Sequence, residues 1–210
     1  MHQGDYLRDP AAIYQASFAA IRREAAIDRL PPAMQPVALR LIHACAMPEI
    51  LADLAWTEDA VDAGREALAA GRPVLVDSTM VAAGIRQGSL PAGNAILCRV
   101  HEPATATLAT ARSTTRAAAA VDLWQGDLGG AIVAIGNAPT ALFRLLEVLE
   151  EGAPAPALVL AFAVGFVGAA EAKEALILHR PQIPHIALRG RRGGSALAAA
   201  AVNALVMAAS

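Results

Sequence analysis

Arg40 and His43 stand three positions apart in ALRLIHACA, a spacing that on a helix brings both side chains to one face. Guanidinium beside imidazole could hold an anionic substrate while exchanging a proton with it near neutral pH. The competing reading is a helix histidine packed among Leu41, Ile42 and Ala44, hydrogen-bonded and inert. A second cluster, RGRRGGS, interleaves Arg189, Arg191 and Arg192 with Gly190, Gly193 and Gly194 directly before Ser195 and an alanine-rich helix. Glycines there let successive amides face outward as an anion nest, and guanidinium forks grip a carboxylate or phosphate with two bonds each. The plain alternative is a solvated turn with Ser195 as the helix cap.

GFVGAAEAKEAL runs from a strand pattern into a helix pattern with Gly165 and Gly168 three apart. These glycines either admit a ligand close to the backbone or shape a tight turn. The order G-x-G-x-x-G is absent, as is G-x-x-x-x-G-K-[ST], so no dinucleotide or nucleoside triphosphate fingerprint is present. In ARSTTRAAAAVDLW, Arg112 and Arg116 are four apart, so that on a helix both can lie on one face; Arg116 meets an anion there, or pairs on the surface with Asp122 or a glutamate. His2, His43, His101, His179 and His185 form no metal-ligand spacing, and Cys45 and Cys98 lie in unrelated segments, so neither a metal centre nor a disulfide framework is expected. No G-x-S-x-G elbow is found. Several arginines, glycine loops and one proton donor suit a large polyanionic organic substrate whose own reactivity does much of the work.

These residues need elements to hold them. Asp9-Pro10 forms an N-cap and first-turn pair for AAIYQASFAAIRREAAI, which repeats apolar residues at helical spacing until LPP breaks it. A second helix covers QPVALRLIHACA and stops at Met47 and Pro48, and a third covers DAVDAGREALAAG. From residue 73 five short apolar runs recur: PVLVD, AILCRV, AIVAIG, ALVLAFAV and IPHIAL. Each leads through glycine, proline or polar residues into a helical stretch, the pattern of a parallel sheet covered on both faces. The expectation is a three-layer α/β/α fold with a five-stranded, mainly parallel sheet, flavodoxin-like, preceded by N-terminal helices. Ligands in such sheets bind beyond the carboxyl ends of the strands. Function is therefore expected in the loops that hold Asp77, Ser78 and Thr79, Gly136, Asn137 and Pro139, Gly165 onward, and Arg189 onward.

Composition agrees with this reading. Lys and Arg total 17 against 19 Asp and Glu, a net charge of −2, which lacks the footprint of a nucleic-acid binder. With 56% hydrophobic residues the chain is not disordered. Its 210 residues suffice for one core, and a single domain spanning 1–210 is expected. The uncharged stretches 152–170 and 193–210 are rich in glycine, proline or alanine and read as buried core rather than membrane spans. The start MHQGDYLRDP has no apolar run with a cleavage site, so no signal or transit peptide is expected, and the two cysteines suit a reducing cytoplasm.

Taken in order, DYLRDPAAIYQASFAAIRREA, LRLIHACA, DSTMVAAGI, TRAAAAVDLW, GAIVAIGNAPTALFRLLE, AVGFVGAAEAKEAL and RGRRGGSALAAAAVNAL resemble the precorrin-8X methylmutase family of corrin biosynthesis over nearly the whole length. Each block is modestly specific; their order and spacing together are highly specific. The resemblance implies an isomerase that moves a methyl group from C11 to C12 of precorrin-8X by a 1,5-sigmatropic shift, giving hydrogenobyrinic acid. It implies no redox or nucleotide cofactor, a flavodoxin-like fold, and a homodimer with the macrocycle near a subunit boundary. By the same resemblance His43 is the proton donor, and Ser17, Arg40 and Arg116 contact the substrate. The chain departs from the family at Arg86, where relatives often carry threonine, and at Ala117 in the TR block. Arg86 adds a cation if its loop faces the pocket. Two alternatives accompany this reading: a mutase acting on cobalt-precorrin-8, and a corrinoid carrier without catalysis. A phosphate-ligand enzyme using the GFVGAAE and RGRRGGS loops is a weaker third.

Overall fold

A computed structural model describes residues 6–206. His2 and the rest of the first five residues lie outside them, as does the end of the 193–210 stretch. The N-terminal helices form where capping and periodicity place them. Helix α1 (Pro10–Glu24) opens with the Asp9 carboxylate accepting the Ala12 amide at 2.7 Å. It stops at Glu24, before the LPP breaker, and a single 3-10 turn over Ile27–Arg29 fills the gap. Helix α2 (Gln35–Cys45) ends at Ala46, which turns left-handed with φ 55° and returns its amide to Ile42 at 2.7 Å. Helix α3 spans Ala60–Ala69.

The sheet has six strands, not five. They are β1 (Leu54–Trp56), β2 (Val74–Val76), β3 (Ile96–Leu97), β4 (Ile132–Ile135), β5 (Leu158–Ala161) and β6 (His185–Leu188), in the order β1-β6-β5-β4-β2-β3. All pair in parallel except β1, which runs antiparallel to β6 at the edge. The extra strand, LAW, follows a 3-10 stretch over Pro48–Asp53 and is too short to show a period. Its pairing with β6 and not its own composition makes it a strand. At the opposite edge AILCRV contributes only Ile96 and Leu97 to the ladder. The five parallel strands alone follow the flavodoxin-like 2-1-3-4-5 order, which places the switch point between β2 and β4.

Alternate strand residues serve two cores. Val74, Val76, Ile132, Ala134, Leu158, Leu160, Ile186 and Leu188 face the layer that contains α2, α3, α4 (Thr79–Gly84) and α9 (Ser195–Leu205). Leu75, Val133, Ile135, Val159, Ala161 and Ala187 face α6 (Arg116–Asp122), α7 (Pro139–Glu150) and α8 (Ala169–His179). Helix α5 (Pro103–Ala111) packs against α6. Both faces are covered, which explains apolar runs without alternation.

Helix α9 is buried along its length, as expected for core. Its alanines let neighbours come close: a Cβ on Gly84 would lie 2.7 Å from the Ala199 Cβ, so α4 rests directly on α9. No described helix is long and apolar enough to cross a membrane.

Candidate active site

Helix α2 packs against α9 and buries Val37, Ala38, Leu41 and Ile42. The 3.6-residue period then turns His43 outward, where it is exposed. Helix α1 packs against α2 and presents Tyr14, Ser17 and Phe18, whose spacing of three and four residues brings them to one face. The Ser17 hydroxyl lies 2.9 Å from His43 Nδ1. The Tyr14 and Phe18 rings stand 5.2 and 5.5 Å from the imidazole, Phe18 edge-on. The Arg40 guanidinium sits 5.0 Å from the Tyr14 ring centre, a cation–π contact. Burial pushes the Arg40 pKa down, and the charge of Arg86 pushes it further. His43 Nε2 has no hydrogen-bond partner among the described residues.

His43 divides two hollows. One, about 160 Å³, is lined by Ser17, Ala20, Glu24, His43 and Pro48. The other, about 230 Å³, lies between α2 and α9 and is lined by Arg40, His43, Gly84, Ala199 and Asn203. Each is smaller than the roughly 300 Å³ at which enclosed ligand pockets begin. The imidazole therefore stands on an open surface.

The other residues singled out from the sequence are spread around the strand ends. Arg86 follows α4, and its amide donates to the Asn203 carboxamide oxygen at 2.9 Å, on the His43 side of the sheet. Ser195 begins α9 with its hydroxyl 3.4 Å from that of Ser78, which caps α4. Asn137 follows β4, and its amide, with those of Gly136 and Ala138, donates to the Asp77 carboxylate. That carboxylate occupies the switch-point loop; burial raises its pKa, against the pull of the three amides.

The RGRRGGS loop is less open than its sequence implies. Arg189 pairs with Glu174, and Arg192 pairs with Asp53 and Glu49. Gly193 packs so tightly on β5 that a Cβ would lie 2.1 Å from the Phe162 carbonyl oxygen, and the Gly194 amide donates to that oxygen at 2.8 Å. Arg191 projects over the exposed Phe166 ring at 5.4 Å. Gly165 and Gly168 bracket that ring, and Gly168 adopts φ 78° to start α8. Lys173, buried in α8, binds the loop to its neighbour by donating to the Ala163 and Arg192 carbonyls at 2.8 and 2.7 Å.

Arg116 opens α6 on the opposite face of the sheet from α2, exposed and without an ion pair among the described residues. Arg112, not Arg116, holds Asp122, at 2.6 Å. The structure thus brings together His43, Ser17, Arg40 and Arg86, and leaves Arg116, Arg189 and Arg191 apart from them. Tyr14 and Phe18 were legible only as helix periodicity; the signal that marks Tyr14 is its place three residues before Ser17. Asn203 announces itself as a lone carboxamide within an alanine-rich helix. Among the described residues no group of three or more His, Cys, Asp or Glu is arranged to hold a metal ion.

The sequence profile of the precorrin-8X methylmutase family matches residues 12–208. A relative from Pseudomonas aeruginosa named precorrin-8X methylmutase is 52% identical over 201 residues, covering 96% of this chain and 97% of its own. One of the same name from Sinorhizobium sp is 49% identical over 205 residues, covering 98% of each. The crystal structure of a precorrin-8X methylmutase from Thermus thermophilus superimposes with a TM-score of 0.84 at 43% identity, covering 93% of this chain and 94% of that one. Sequence blocks, sheet and helical layers correspond over nearly the full length, and the chain belongs to the precorrin-8X methylmutase family.

Proposed function

We propose that this protein is the isomerase that converts precorrin-8X to hydrogenobyrinic acid in cobalamin biosynthesis, with His43 as proton donor. One observation carries the reading: an exposed imidazole, held through Nδ1 by Ser17, stands beside Arg40 on an open face. A proton passes from Nε2 of the imidazolium to a ring nitrogen of the macrocycle and makes the conjugated system electron-poor. The bond from the methyl group to C11 breaks as the bond to C12 forms, and the proton returns to His43 as the product's conjugation is restored. Atoms balance, because substrate and product are isomers. Ser17 suits both states of the ring: Nδ1 keeps its proton whether Nε2 is protonated or bare, and the Ser17 hydroxyl oxygen accepts it throughout. A positioned acid of this kind is worth about 10² to 10⁴ in rate.

The acetate and propionate arms of the substrate account for cations around the site of a net-acidic chain. Arg40 takes the arm nearest His43. Arg116, Asn137, Arg191 and two loops, one carrying Gly165 and Gly168 and the other Arg189, Gly193 and Gly194 up to Ser195, meet more distant parts of the macrocycle. The open hollows and the exposed Phe166 and Val167 support a homodimer in which a second copy encloses the substrate. The chain acts as one domain, in the cytoplasm. The names carried by the Pseudomonas and Sinorhizobium relatives favour the metal-free substrate.

Incubating the purified protein with precorrin-8X, and separately with cobalt-precorrin-8, while following the absorption spectrum tests this directly. Conversion of the metal-free compound to hydrogenobyrinic acid is the expected result. Preference for the cobalt compound would move the enzyme to the other route, and binding without conversion would make it a carrier.

A further inference from the structure

Past Ser195 in its first turn, Asn203 is the polar exception in α9, and its carboxamide is used at both ends. Its oxygen accepts the Arg86 amide at 2.9 Å, and its nitrogen donates to the Gly84 carbonyl at 2.9 Å. Asparagine is a poor residue for a helix interior, and a carboxamide only 9% exposed must find partners. The partners it finds are the main chain at the end of α4 and at the turn just beyond. Residues 84 to 86 are thereby pinned to α9. Gly84 completes the arrangement, since its missing side chain lets α4 settle on Ala199.

This pinning has an electrostatic result. Asn203, Gly84 and Arg40 line the same hollow as His43. Arg86, exposed and without an ion pair among the described residues, follows two residues after Gly84, and Arg40 is itself part of the lining. The two guanidiniums act on one another, the Arg86 charge making it harder for Arg40 to stay protonated. Like charges held around an open hollow repel, and an anion between them removes the repulsion and gains two charge-assisted contacts.

We propose that Asn203 is a positioning residue that sets Arg86 against Arg40, so that the two guanidiniums seat one carboxylate arm of the substrate beside His43. The proposal rests on the reading of this groove as a polycarboxylate site and adds a residue that orients the bound molecule.

The experiment measures binding of mellitate, a benzene ring bearing six carboxylates, to the full chain by titration calorimetry at low ionic strength. Variants are Arg86→Ala, Arg86→Lys, Asn203→Ala and the double variant Arg86→Ala with Asn203→Ala. Arg86→Ala is expected to weaken mellitate about tenfold, the loss of one charge-assisted contact, and Arg86→Lys to recover most of that loss. Asn203→Ala weakens binding severalfold, yet adds less than twofold once Arg86 is already alanine, because its effect passes through Arg86. With precorrin-8X the same variants raise KM more than they lower kcat. Should Asn203→Ala not fold, Asn203→Ser makes a smaller cut at the same position and takes its place.

Unchanged mellitate affinity in Arg86→Ala, additive losses in the double variant, or no binding by the wild type would overturn the proposal. Mellitate binding with the expected pattern in a protein that leaves precorrin-8X unaltered would instead remove the isomerase reading and keep the carboxylate seat.

Discussion

The Ser17 hydroxyl, on α1, and His43 Nδ1, on α2, lie 2.9 Å apart across 26 positions of chain. Two helices from the N-terminal third therefore cooperate to orient one ring, and the rest of the fold supports them from beneath. Ser17→Ala removes the tether while the Tyr14 and Phe18 rings still hold the imidazole. The turnover rate is expected to fall about tenfold, the worth of one net hydrogen bond, with KM changing less. Steady-state kinetics on precorrin-8X reads this, and an unaltered kcat would show that the tether is dispensable.

Asp77 provides the switch-point loop with an internal anion. Its carboxylate accepts the amides of Gly136, Asn137 and Ala138 at 3.0, 2.9 and 2.6 Å, the arrangement in which other loops of this kind hold a phosphate. Asp77→Ala orphans three amides and should lower stability by about 3 kcal/mol or more. Urea unfolding checks this; a midpoint equal to that of the wild type would contradict it.

Gly193 and Gly190 look alike in RGRRGGS but differ in what surrounds them. A methyl group at Gly193 would overlap the Phe162 carbonyl at 2.1 Å, whereas Gly190, at φ 75°, has nothing within 4 Å. Gly190→Ala is expected to cost about 1 kcal/mol, the strain of a left-handed alanine, and Gly193→Ala to cost considerably more and to displace the start of α9. Thermal melts of the two variants compare them, and equal losses would show that the loop yields without penalty.

His185 gives the protein an acid-sensitive strand. Its Nδ1–H donates to the Ile183 carbonyl at 2.8 Å, and burial holds its pKa below the ordinary 6.5. As pH falls below that ordinary value the unfolded chain takes up a proton before the folded one, so stability declines between the ordinary value and the lower folded one and is unaffected above the ordinary value. His185→Asn keeps a donor for Ile183 and removes the titration. Its stability should fall less steeply between pH 6.5 and 5 than that of the wild type; matching slopes would assign the acid sensitivity elsewhere.

Much of this architecture is legible in the residues. Asp9-Pro10 announces α1, and the unalternating runs at residues 74–76, 132–135, 158–161 and 185–188 announce buried parallel strands. The LAW strand is not legible, because three residues carry no period and only the open edge of β6 makes them a strand. Among the candidate site residues, Arg40 and His43 were marked by helical spacing and by the family resemblance together. The partners of Arg189 and Arg192 were hidden because Glu174, Asp53 and Glu49 are 15 or more positions away in sequence. Asn203 was passed over for the same reason: a carboxamide in a helix shows its use only when the main chain it holds comes into view.

Turnover by His43→Ala tests the central claim most directly. With precorrin-8X as substrate, kcat is expected to drop by about 10² to 10⁴ while hydrogenobyrinic acid binds within a few-fold of its wild-type affinity. A variant that isomerises precorrin-8X at the wild-type rate would contradict the assignment of His43 as the acid.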